Sequence, residues 1–252
     1  MLALSGAAGY HLLVLVNALS FFLTAILLLC SKRVRHHVHT KHVQAGGYRV
    51  VMQDRPFLIL TLVNVVFAMG SMLLAIGMPL YLVTSLKAPV WMVGAIFALN
   101  TILLTLLQTI ILLKLEIYRR TRVIILAGIL WGVWCLFCIF ALAISPTLLV
   151  PYLLGITCLY TLAELIHGPT TSALIAAISP DALRGRYLAL FQFSWSVASI
   201  LTPGLFTLLF TANTSLPWLA TAILMVLACL SVYLVERHLP AQVLRTRSIK
   251  LD

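Results

Sequence analysis

The sequence predicts an all-α polytopic membrane protein with about seven transmembrane helices, its N-terminus outside and its C-terminus inside. Three observations carry this. Of the 252 residues, 62% are hydrophobic and 9% charged, with a mean hydropathy of +1.10. A soluble domain carries about 25% charged residues, so this chain would have almost nothing to present to water. The apolar runs are of helix length rather than alternating segments of about 10 residues, which excludes a transmembrane β-barrel. The net charge of +11 gathers just beyond the ends of those runs, where cations orient helices and meet anionic lipid headgroups. No basic stripe interleaved with aromatics and no zinc-finger spacing points to nucleic acid.

In chain order, residues 1–31 hold the first transmembrane helix, with its span at 10–30 and Asn17 as its one strongly polar interior residue. It does not read as a signal peptide: no Lys or Arg precedes the run, the run is too long, and the basic flank follows it. Residues 32–55 form a basic linker containing His36, His37, His39 and His42. With no carboxylate or cysteine joining that cluster, it reads as a solvated cytoplasmic segment rather than a metal site. Residues 56–236 contain six further spans, and residues 237–252 a basic cytoplasmic tail.

The second span (56–83) carries Asn64, and a turn with Lys87 leads into the third (90–113), with Asn100 and Gln108 at depth. A charged loop with Glu116, Arg119, Arg120 and Arg122 precedes the fourth span, at 123–144. The fifth, at 151–178, holds Glu164 near its middle, with His167 one turn later on the same face and a helix break expected at Gly168-Pro169. The loop containing Asp181, Arg184 and Arg186 leads to the sixth span (187–210), with Gln192, Trp195 and a second break at Pro203-Gly204, and the seventh covers 218–235. With the N-terminus outside, 16 of the 17 Lys and Arg fall in inside segments and only Lys87 lies outside. That one-sidedness sets the predicted orientation.

Glu164 is the chemically loaded residue. A carboxyl at membrane depth is costly to keep there and is read by default as functional, although a neutral, hydrogen-bonded glutamic acid can also serve as interhelical glue. Cys30, Cys135, Cys138, Cys158 and Cys229 lie in or at the edges of spans and read as small packing residues. The Cys135-x-x-Cys138 pair has no second pair to make a metal or redox site. Glu164-x-x-His167 has di-iron spacing but lacks the further glutamates such a centre needs. There is no HExxH, nucleophile elbow or phosphate-binding loop, so no enzyme, cofactor or metal is expected. Every lysine sits in a loop or at a span end, which argues against a retinal protein.

Several segments carry a resemblance. The run 16–29 resembles the sixth helix of multidrug and macrolide efflux members of the major facilitator superfamily. Residues 113–123 resemble the family's loop between helices eight and nine, with Glu116 at its acidic position and Arg120 and Arg122 at its basic ones. The segments 180–187, 191–195 and 164–169 are similar to the corresponding parts of bacterial drug exporters. The resemblance implies helices six to twelve of a twelve-helix transporter, in a bacterial plasma membrane. It therefore implies a truncated or half transporter, whose partners are a small-molecule substrate, protons, the bilayer, and a missing N-terminal half or a second copy. Proton coupling would fall to Glu164 and His167. The cavity wall would be formed by Asn64, Asn100, Gln108, Gln192 and Trp195, and a cytoplasmic gate by Glu116, Arg119, Arg120 and Arg122. An inactive gene fragment is the alternative expectation.

Overall fold

A computed structural model describes residues 7–30, 47–115 and 117–244. It divides into two units, Met1–Val43 and Gln44–Asp252. The first contains helix α1 (Ala7–Cys30), within which Val14–Leu27 forms a short apolar helix whose side chains are exposed. The expected first span falls here. The linker histidines lie outside the described residues.

The second unit opens with the short helix α2 (Tyr48–Val51). Then come α3 (Arg55–Thr84), α4 (Trp91–Leu115), α5 (Arg120–Phe140), α6 (Pro146–Ile178), α7 (Arg184–Ala212) and α8 (Leu216–Glu236). The short helix α9 (Ala241–Leu244) follows. Among the described residues, α3 to α8 are the six helices long and apolar enough to cross a membrane, α5 being extended by a 3-10 turn over Ala141–Ala143. Local chemistry starts them. Asp54 caps α3 by accepting the Phe57 N–H at 3.2 Å, and prolines sit in the first turns of α3, α6 and α8, where a missing N–H costs nothing.

The spans agree with hydropathy to within about three residues, except that α6 starts at Pro146 and takes Pro151 inside the helix. Its 33 residues span roughly 50 Å, well beyond a ~30 Å hydrocarbon core. Both expected breaks fall inside continuous helices. Helix α6 continues through Gly168 and Pro169, and α7 through Pro203 and Gly204. A proline removes one donor from the ladder, and packing against neighbouring helices carries the rest through.

Helix α3 packs on α7 and α8, α6 packs on α4 and α5, and α5 packs on α8. This pattern maps onto itself when α3 exchanges with α6, α4 with α7, and α5 with α8. Successive spans joined by short loops run in opposite directions, so α3 and α6 are antiparallel and the repeat is inverted, an architecture common among transporters. At the centre lie Trp131, Trp134, Trp218, Tyr81 and Tyr160, all fully buried. The Tyr81 hydroxyl donates to the Cys138 carbonyl at 2.6 Å, and that of Tyr160 to the Ser71 carbonyl. Cys135 and Cys138 are buried, unbridged packing residues in the same core.

The alternation of spans places Arg55, Lys114, Arg119, Arg120, Arg122, Arg184, Arg186 and Arg237 at one end of the bundle. Lys87 sits at the other, in a left-handed backbone conformation (φ 47°).

Candidate functional site

Helix α6 carries a ladder of small polar residues one turn apart. Thr157 donates to the Leu153 carbonyl at 2.7 Å and Thr161 to the Thr157 carbonyl at 2.8 Å, so both hydroxyls are satisfied without leaving the helix. Glu164 continues the face and is half-buried. Across from it, α4 presents Asn100, whose Nδ2 donates to Glu164 Oε2 at 2.9 Å and to Thr161 Oγ1 at 3.1 Å. Two of the expected residues, Glu164 and Asn100, therefore meet directly. Thr161 joins them, a residue that sequence reasoning passed over because a threonine in a transmembrane helix is unremarkable.

Asn64 of α3 makes the corresponding tie across the equivalent contact between the repeats. It is buried, and its Nδ2 donates to Ser194 Oγ of α7 at 2.7 Å. The α3–α7 and α6–α4 contacts are equivalent under the internal repeat, and each carries one asparagine bridge. Asn64 thus joins two helices instead of facing an open space.

His167 is 1% exposed. Its ring lies 5.0 Å from that of Phe67, 5.1 Å from Trp131 and 6.3 Å from Trp195, centroid to centroid. Its Nε2 has no hydrogen-bond partner. Although His167 sits one turn from Glu164, no hydrogen bond joins the two side chains among the described residues. The ring is enclosed by aromatics, whereas the carboxylate faces α4.

Gln108 and Gln192 are exposed and Trp195 is half-buried. The two glutamines fall into a pattern. On α4, exposed Thr101, Thr105 and Gln108 recur at i, i+4, i+7, and on α7, exposed Gln192, Ser196 and Ser199 repeat the same spacing. That spacing lines one face of a helix. Helices α4 and α7 are also the least buried of the six spans, and they exchange under the internal repeat.

At the basic end, Glu116 lies outside the described residues, and Glu236 at the end of α8 is the acid that Arg119 and Arg122 meet. Arg119 Nη1 reaches Oε1 at 3.1 Å, and Arg122 Nε lies 3.0 Å from Oε2. Glu236 is 6% exposed while both arginines are about half exposed. The guanidinium of Arg122 also stacks 4.9 Å over the Tyr233 ring, and Arg120 Nη1 donates to the Val243 carbonyl of α9 at 3.1 Å. A faint signal was present in the sequence. Cations opening a helix and an acid closing one both oppose the helix dipole, and here each stands beside the favourable end of its neighbour. Glu236→Gln is expected to lower stability by about 1–2 kcal/mol, less than for a fully buried pair because the arginines can turn to water. Thermal unfolding of the purified protein checks this, and an unchanged midpoint would mean that the ion pairs contribute nothing.

The family model for the Major Facilitator Superfamily matches residues 60–250. The chain belongs to this superfamily of membrane transporters and is a multi-pass membrane protein. Comparison with curated proteins finds no match.

Proposed function

We propose that this chain supplies one wall of a transport pathway for small, amphipathic molecules, driven outward across a bacterial plasma membrane by proton exchange. The observation that carries the reading is Glu164, the one carboxyl among the described residues set at membrane depth, half-buried and held by Asn100 across the α4–α6 contact. Protonation of that carboxyl would couple to the direction in which the pathway opens. Gln108, Gln192 and Trp195 would contact the substrate. Asn64 and Asn100 would hold the helices beneath it.

The polar stripes on α4 and α7 support a second part of the proposal. Polar side chains facing lipid are costly, and polar residues at membrane depth face a bundle interior or a water-filled cavity. A six-helix unit with two such stripes is complemented by another of the same kind, the substrate lying between them near the midplane. The second wall would come from a preceding segment of the same polypeptide or from a partner chain. The basic end would face the cytoplasm, where Arg119, Arg122 and Glu236 latch the mouth.

Cysteine labelling in membranes tests this without knowledge of the substrate. Thr105→Cys and Ser196→Cys should react with a water-soluble maleimide, while Ile223→Cys, exposed on α8, should not. Protection of the first two to the level of Ile223→Cys would place the stripes against lipid or protein and sink the reading.

A further inference from the structure

Around Asn100 the structure gathers a donor set that proton exchange alone does not require. Nδ2 of Asn100 sits between Glu164 Oε2 at 2.9 Å and Thr161 Oγ1 at 3.1 Å. An amide nitrogen with partial positive charge thus occupies the point on which an anionic and a neutral oxygen converge. A half-turn of the Asn100 amide exchanges Nδ2 for Oδ1. The group then offers three oxygens, one of them charged, contributed by two helices.

The chemistry of the set narrows what it can hold. Carboxylate, amide and hydroxyl oxygens are hard ligands, suited to alkali and alkaline-earth cations, whereas the imidazole and thiolate groups favoured by transition metals are missing from the set. His167, the closest candidate in sequence, has its ring enclosed by Phe67 and Trp131. Charge then decides between one and two positive charges. Asp54 caps the start of α3, Asp181 lies in a loop and Glu236 ends α8, so Glu164 is the single anion at this depth among the described residues. One carboxylate neutralises a monovalent cation, whereas a divalent ion would leave an uncompensated charge inside the membrane. The half-burial of Glu164 leaves a side from which water can complete the coordination shell.

We propose that Glu164, Asn100 and Thr161 form a binding site for a single monovalent alkali cation. The amide nitrogen of Asn100 fills the centre when the ion is absent, and its carbonyl oxygen coordinates the ion when present. The use of such a site to drive transport rests on the function proposed above. Ion occupancy itself does not.

The test is equilibrium binding of radiolabelled Na+ to the full chain, purified and held in lipid nanodiscs, with no substrate and no gradient. Binding should be saturable at one ion per chain. It should be displaced by an excess of unlabelled NaCl and left in place by the same concentration of choline chloride. Glu164→Gln should abolish it. Thr161→Val, which keeps the volume of the side chain and removes one oxygen, should weaken it about tenfold. Both variants are checked for monodisperse elution, and if Glu164→Gln fails that check, Thr161→Val alone decides. Wild-type protein without displaceable binding overturns the proposal, as does a folded variant that binds like wild type. Intact Na+ binding in a protein whose Thr105→Cys and Ser196→Cys variants resist labelling would remove the transport reading and leave the ion site standing.

Discussion

Glu164→Gln is expected to reduce pH-gradient-driven efflux to background while leaving insertion and folding intact. The substitution is nearly isosteric, and the glutamine carbonyl can still accept the hydrogen bond that Asn100 now gives to Glu164 Oε2 at 2.9 Å. What disappears is the ability to gain and lose a charge in an apolar setting, which is the property assigned to the residue. Everted vesicles from the native host carrying the substitution provide the assay, with membrane abundance as the control. Efflux at the wild-type rate would remove Glu164 from coupling. His167→Phe separates the two residues of the proposed pair. The ring is surrounded by Phe67, Trp131 and Trp195 with Nε2 unpartnered, so an apolar ring of similar size should fit and efflux should persist. Loss of efflux in folded His167→Phe protein would restore the imidazole to the proton path.

Gly128→Leu is expected to damage the bundle strongly. A Cβ at Gly128 would stand 2.5 Å from Cys229 Sγ and 2.6 Å from Phe67 Cε1. It would thus collide with α8 and α3 at once. Overpacking a filled interior costs about 1–3 kcal/mol when neighbours can move, and Phe67 is itself 1% exposed and in contact with His167. Relief of the clash must therefore displace Phe67 or α5, even though an apolar groove lined by Gly128, Gly132, Met225 and Cys229 leaves room on the α8 side. Gly155→Leu supplies the matched control, since a Cβ there meets nothing within 4 Å. The purified Gly128 variant should unfold at a clearly lower temperature than wild type, or fail to accumulate, while the Gly155 variant should match or slightly exceed wild type through its better helix propensity. Equal stability of the two variants would show that the α3–α5–α8 contact is not filled as described.

The positions of the spans were legible because they depend on a property summed over about 20 residues. Single positions could not disturb that sum, and even α6 differed only in starting at Pro146. Its extra length was hidden because prolines at 146 and 151 both look like starts, and only packing shows which is internal. Which residues meet across helices was legible only in part. A soluble helix announces its buried face by its apolar stripe, but a membrane helix is apolar on all sides, so its rotation has to be inferred from scattered polar groups. Glu164 stood out by its cost alone. That Asn100, not His167, would face it depends on how α4 turns, and nothing in the apolar background of α4 records that. Glu236 was overlooked for a related reason. It lies 114 positions from Arg122, and an acid at a helix end calls for no partner until α5 and α8 are brought together.

The inverted repeat has a further consequence for how the protein enters the membrane. Since its packing pattern survives the exchange of α3–α5 with α6–α8, turning the bundle upside down presents the bilayer with much the same body. Interior contacts therefore give the insertion machinery little reason to prefer one direction over the other. Among the described residues, that choice is left to the surface cations, crowded at one end with Lys87 alone at the other. A handful of lysines added around residues 87 and 145 should then yield molecules inserted the opposite way, with Arg119, Arg122 and Glu236 moved to the other face of the bilayer.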